Sequence, residues 1–168
     1  MLQALSGPSQ EAVKAELDSR GHSTETGGVI MATASPAAGT REWEGTYPAR
    51  PRHVRDARHA VEGFLAGCTA GDETLLICSE LTTNSALHSR SKGDGKFVLR
   101  VTVHVEYIWI ECEDAGGPWL ARPGDGRPHG LDVVHALCGE DGWGVEDLDG
   151  GRTGRVVWAR LRLDRSGT

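Results

Sequence analysis

Apolar positions along this chain change period several times, and each change marks an element. Residues 41–47 read as a short strand and 48–51 as a turn. Val54, Ala57, Val61, Phe64 and Leu65 then recur at three- and four-residue intervals, which predicts an amphipathic helix over about 52–66. Glycines at 67 and 71 interrupt it. A second helix is expected from Asp72, as N-cap, to about Ser89, with Glu73 in the first turn where a carboxylate meets the positive end of the dipole. Beyond a polar, Gly-bearing turn at 91–95 the period drops to two. Phe97, Leu99, Val101 and Val103 alternate with Val98, Arg100, Thr102 and His104, and Ile108, Ile110 and Cys112 alternate with Tyr107, Trp109 and Glu111. Two such runs joined at Val105 and Glu106 predict a hairpin with one face on the core. Leu131, Val134, Leu137 and Cys138 mark a third helix. Residues 143–146 and 155–163 read as closing strands around a Gly-rich turn at 147–154.

The order strand, helix, helix, strand, strand, helix, strand, strand excludes a doubly wound parallel sheet. It predicts an α+β two-layer sandwich, a mixed, mostly antiparallel sheet with helices on one face. Residues 1–40 are rich in Ser, Gly, Ala and Thr and lack sustained apolar periodicity, so they read as a disordered, dispensable tail with at most a helical turn or two over 11–17. Met31 would serve equally well as a start. The domain is expected over 41–163, with 164–168 a short second tail.

At 168 residues the chain is long enough to bury a proper core as one domain. Its formal net charge of −6 disfavours nucleic acid, whose binding rests on Lys and Arg neutralising phosphates. Cys68, Cys78, Cys112 and Cys138 form no C-x-x-C pair, and three lie in apolar-periodic segments, as reduced core thiols do in a cytoplasmic protein. No run approaches the ~18–20 apolar residues of a membrane span, and no export signal opens the chain. His53, His59, His104 and His135 have no partner at ligand spacing. A Ser-His-Asp hydrolase is unsupported, because no G-x-S-x-G elbow occurs.

Three stretches carry chemistry. Glu80, Asn84 and His88 are spaced i, i+4, i+8, so they stack along one helix face and can converge on one ligand; a solvated helix face shows the same pattern. Asp114 and Gly116, in Glu113-Asp114-Ala115-Gly116-Gly117-Pro118, place a carboxylate at a strand end beside a Gly-rich turn, which suits a base edge or simply ends the strand. Gly124-Asp125-Gly126-Arg127-Pro128-His129-Gly130-Leu131 feeds a helix N-terminus, whose free N–H groups favour phosphate. It is neither a P-loop nor a dinucleotide fingerprint.

Glu80-Leu81-Thr82-Thr83-Asn84-Ser85-Ala86-Leu87-His88 resembles the Glu-Leu-x-x-Asn-Ala-x-x-His box of the GHKL ATPase superfamily, and within it the small anti-sigma-factor serine kinases. Asp114 and Gly116 resemble that family's Asp-x-Gly-x-Gly box, and Gly130 and Leu131 its Gly-x-Gly-Leu box. The resemblance covers about 41–163 and implies the GHKL ATP-binding fold. It makes Glu80 the general base, Asn84 the Mg²⁺ ligand, His88 an orienting residue and Asp114 the acceptor of the adenine amino group. Gly116, Arg127, His129, Gly130 and Leu131 would contain the nucleotide. It implies ATP and Mg²⁺ as ligands, an antagonist-protein serine as phosphoryl acceptor and a sequestered sigma factor; kinases of this type are often dimers, and the sequence leaves the oligomeric state open. The chain departs from the pattern at Pro118 and Pro128, which stand at glycine positions, and at Gly154-Arg155-Val156, where the expected Thr is missing and Thr153 lies on the wrong side of the glycine. Those departures leave a second reading open, a non-catalytic partner-binding switch of the same fold. A histidine kinase fragment fits less well, since no dimerisation helix with a phospho-acceptor His precedes the domain.

Overall fold

Proline and glycine mark the ends of the elements in the computed structural model, which describes residues 39–117, 130–148 and 154–163. Strand β1 (Arg41–Pro48) ends on a proline, and helix α1 (Pro51–Phe64) begins on one, where a missing N–H costs nothing and φ is already helical. Helix α2 (Gly71–His88) starts one residue before the expected cap. The N-cap is Ala70, with no side-chain cap, and Asp72 lies inside the first turn with Glu73. The cause is Thr74, whose N–H and hydroxyl both donate to the Ala70 carbonyl, at 3.1 and 2.6 Å, and so close the first turn early. Asp72 still complements the helix dipole from there.

Strands β2 (Lys96–Val103) and β3 (Tyr107–Asp114) form the expected hairpin, with the His104 N–H donating to the Tyr107 carbonyl at 2.9 Å across the turn. Helix α3 (Gly130–Cys138), β4 (Trp143–Asp147) and β5 (Arg155–Arg162) complete the described elements. The sheet order is β1-β2-β3-β5-β4. The protein is an α+β fold, and every pairing among the described strands is antiparallel, so the parallel component that the mixed-sheet expectation allowed for is not found there. No described helix is long and apolar enough to cross a membrane.

Register decides which side chains meet. Trp43, Val101, Ile110 and Ala159 form one row across the sheet, and Leu99, Cys112 and Val157 part of the next, all on the helix-facing side. Ala57, Val61 and Leu65 from the first helical segment, Leu75, Ile77, Cys78 and Leu81 from α2, and Val134 from α3 close that core. Helix α2 sits between α1, α3 and the sheet, which is why its buried positions run round more than one face.

The opposite face departs from the one-sided expectation. Trp109 and Trp158 stack there, ring centroids 5.0 Å apart and planes 9° from parallel, and both are buried. Glu111, Arg160, Thr102 and Val156 on the same face are buried as well. Charged residues alternating with the apolar core positions gave this side the pattern of a solvated surface, yet it too is withdrawn from water.

Candidate functional site

Glu80, Asn84 and His88 advance along α2 by ~6 Å per step, four residues at 1.5 Å each. Glu80 and Asn84 are half-buried, and His88, in the last turn, is exposed. Gly130, the first residue of α3, lies directly against Glu80: a methyl group there would collide with the carboxylate Oε2 and stand 3.2 Å from Cδ. Glycine permits that approach, whereas a larger residue would push the carboxylate, the free end of a flexible side chain, aside. The approach brings the Glu80 carboxylate to the N-terminus of α3, where unpaired N–H groups and the helix dipole stabilise negative charge. Leu131 packs against the main core rather than facing solvent. Arg127 and His129, with Pro118 and Pro128, lie outside the described residues.

Asp114 ends β3 on the helix-facing side and is nearly inaccessible. The Ser85 hydroxyl donates to its Oδ2 at 2.7 Å, the Gly116 N–H donates to Oδ1 at 2.7 Å, and Arg155 Nε pairs with Oδ1 at 3.3 Å. Ser85 follows Asn84 in α2, so this contact ties the first and second motifs together in space. Further hydrogen bonds hold the C-terminal ends of α2 and β3 together. The Ser89 hydroxyl donates to the Ser85 carbonyl at 2.7 Å, the Ser91 N–H to Ser89 Oγ at 3.0 Å, and the Ala115 N–H to Ser91 Oγ at 2.8 Å. The Arg90 N–H donates to the Gly116 carbonyl at 2.6 Å. Gly116 and Gly117 have φ of +67° and +134°, conformations that other residues adopt only under strain. The turn after β3 is thereby locked beside the C-terminal end of α2.

Sequence reasoning placed Asp114 and Gly116 together but missed Ser85, Ser89, Ser91 and Arg155. The serines had a signal, since Ser85 and Ser89 are one helical turn apart at the end of α2. Arg155 had none, because it meets Asp114 only through the pairing of β3 with β5.

Two hydrogen bonds, from Ser85 and the Gly116 N–H, and the Arg155 ion pair already engage the Asp114 carboxylate, so a ligand amino group would have to share it with them. Asn84, itself half-buried, carries a carboxamide oxygen, a hard donor that suits Mg²⁺, and the Glu80 carboxylate lies one turn away. Among the described residues no three His, Cys, Asp or Glu side chains gather as metal ligands.

All four cysteines are free, with Cys78 and Cys112 buried. Burial first, then the Asp114 carboxylate, push the Cys112 thiol up to about 12, against the lowering effect of its contact with Ser85. Burial also pushes the Cys78 thiol well up and the Cys138 thiol up to about 11. Because thiolate is the reactive form, a disulfide reagent at neutral pH should leave Cys78 and Cys112 unmodified until the protein unfolds. Prompt labelling of either in the native state, read by peptide mass spectrometry, would contradict their packing here.

No protein-family model matches this chain, and a search of curated proteins finds no match either.

Proposed function

We propose that this protein is a Mg-ATP-binding regulator of the anti-sigma serine/threonine kinase type. It phosphorylates a serine of a small antagonist protein and, in its other state, sequesters a sigma factor, acting in the cytoplasm. The observation that carries this reading is the seating of Glu80 against the α3 N-terminus, with Asn84 one turn along α2 and Ser85 joining that helix to Asp114.

In this reading the substrate serine oxygen attacks the γ-phosphorus, the bond to the β,γ-bridging oxygen breaks, and ADP leaves. The serine proton goes to the Glu80 carboxylate. Asn84 holds Mg²⁺, which when bound neutralises phosphate charge. The α3 N-terminus, reached through Gly130, supplies N–H groups to phosphate oxygens. Such transfer depends on positioning and electrostatics, so few side chains suffice.

A second reading has its own support. The Asp114 carboxylate is engaged by Ser85, Gly116 and Arg155, as suits a structural ion pair, and a protein whose base-reading residue serves the fold could bind partners and transfer nothing.

Calorimetry with Mg-ATP, followed by incubation with labelled ATP and candidate antagonist proteins, separates these readings. Saturable binding below millimolar ATP with label on an antagonist serine is the expected result. Binding without transfer supports the switch. No adenine-nucleotide binding at millimolar concentration would sink the kinase reading and leave a switch that works without nucleotide.

A further inference from the structure

Arg155, the first residue of β5, lies between two carboxylates at the ends of their strands. Register sets it directly opposite Asp114 of β3 on one side and Asp147 of β4 on the other, so the three residues share one side of the sheet. Residues so opposed have Cβ atoms ~4.5–5.5 Å apart, which puts either carboxylate within reach of one guanidinium. Gly154 sets this placement: a Cβ there would meet the Asp114 carbonyl at 2.7 Å. The two carboxylates differ in their surroundings. The Asp114 side chain is only 1% exposed and that of Arg155 6%, whereas Asp147 is exposed. Of the groups that engage Asp114, two are tied to the backbone. The Ser85 hydroxyl hangs on a single rotatable bond from α2, with Cys112 Sγ 3.2 Å away, and the Gly116 N–H belongs to a turn held by the Arg90 N–H. Arg155 is the long, flexible one, and its 3.3 Å contact with Oδ1 is the loosest of the three.

We propose that Arg155 gates the base-reading carboxylate: in the nucleotide-free protein its guanidinium holds Asp114 Oδ1, and it swings to Asp147 when an adenine amino group takes its place. This gate rests on the reading of Asp114 as the acceptor of that amino group. In the exchange Asp114 keeps its bonds from Ser85 and Gly116 and receives a neutral N–H donor instead of a cation. Arg155 moves from a buried carboxylate to an exposed one. A buried arginine leaves its partner at low cost only where a second carboxylate is at hand, because an uncompensated buried charge is strongly destabilising. Asp147 is that carboxylate, one strand over in the same row. The apparent affinity for nucleotide is then the intrinsic one reduced by the fraction of molecules in which Arg155 has left Asp114.

The test is calorimetry of Mg-ATP with the full chain. Arg155→Gln keeps a long polar side chain without the charge and should bind ~10-fold more tightly, since no molecules are held in the closed pair. Asp147→Asn, at an exposed position, should leave Tm unchanged and weaken binding about 3-fold, the scale of one exposed ion pair. The sign is diagnostic, because removing a negative charge near a triphosphate would by simple electrostatics tighten binding. In the double variant the Asp147→Asn effect should vanish, as no guanidinium remains to be received. A folded Arg155→Gln protein that binds Mg-ATP no more tightly than the wild type overturns the gate. So does unchanged or tighter binding by Asp147→Asn, a result that does not depend on Arg155→Gln folding. The underlying reading is checked separately by Asp114→Asn, which should lose more affinity for ATP than for GTP. With that selective loss observed and Arg155→Gln binding no tighter, the gate falls and the reading stands. No adenine-nucleotide binding by wild type or Arg155→Gln at millimolar concentration would sink both.

Discussion

Replacing Glu80 by alanine is expected to cut phosphoryl transfer by ~10²- to 10⁴-fold, the usual contribution of a positioned general base, while Mg-ATP still binds. The side chain is half-buried on α2 and leans on Gly130, so its loss opens a small space at the α2–α3 contact without touching Leu81 or Ile77 in the core. Tm should therefore change little. Asn84→Ala should behave differently. It removes the metal ligand and weakens Mg-ATP binding itself, because the ion carries much of the phosphate charge neutralisation. The pair of variants thus separates chemistry from binding, read by single-turnover transfer and by calorimetry. Transfer at the wild-type rate in Glu80→Ala would make Glu80 an ordinary helical carboxylate. Sigma-factor binding and release unchanged in that variant, with no transfer by the wild type, would leave the non-catalytic switch as the better account.

Asp114→Ala should be the most destabilising single change at the site. Arg155 and Asp114 are almost wholly buried as a pair, and the Ser85 hydroxyl and Gly116 N–H lose the same acceptor. Removing one partner of a buried ion pair typically costs about 3–5 kcal/mol, which corresponds to a Tm fall of roughly 10 °C or more in a domain of this size. Arg155→Leu in the same chain should recover part of the loss, since a neutral side chain of similar bulk no longer needs the carboxylate. Equal destabilisation by the single and double variants would show that Arg155 is not the group that suffers. Asp114→Asn keeps the shape and separates the two roles of the carboxylate. A loss of about 1–3 kcal/mol in ATP binding, greater than for GTP and with Tm held, would assign adenine reading to Asp114. A fall in Tm with equal losses for both nucleotides would assign it to the fold.

Much of this architecture was legible because it is local. The alternation of Phe97, Leu99 and Val101 with Val98, Arg100 and Thr102 and of Ile108 and Ile110 with Tyr107 and Trp109 follows from the two-residue period of a strand. The short connection between the runs then leaves a hairpin as the natural pairing. Val54, Ala57 and Val61 likewise announce α1, and the i, i+4 spacing of Glu80 and Asn84 needs only the helix that carries them. Three features were not local. Strand β5 enters between β3 and β4, and chain order carries no trace of that insertion, so the meeting of Arg155 with Asp114 was invisible. Gly130 against Glu80 depends on how α3 docks on α2. The burial of Trp109, Glu111 and Trp158 depends on what lies over the sheet, whereas a polar and apolar alternation reports only which side faces the first core. Backbone geometry and the partition of side chains from water act over a few residues and leave a periodic record in the chain. Strand order and helix docking follow from how whole elements bury their faces against each other, and that energy belongs to contacts between distant residues rather than to any stretch that can be read alone.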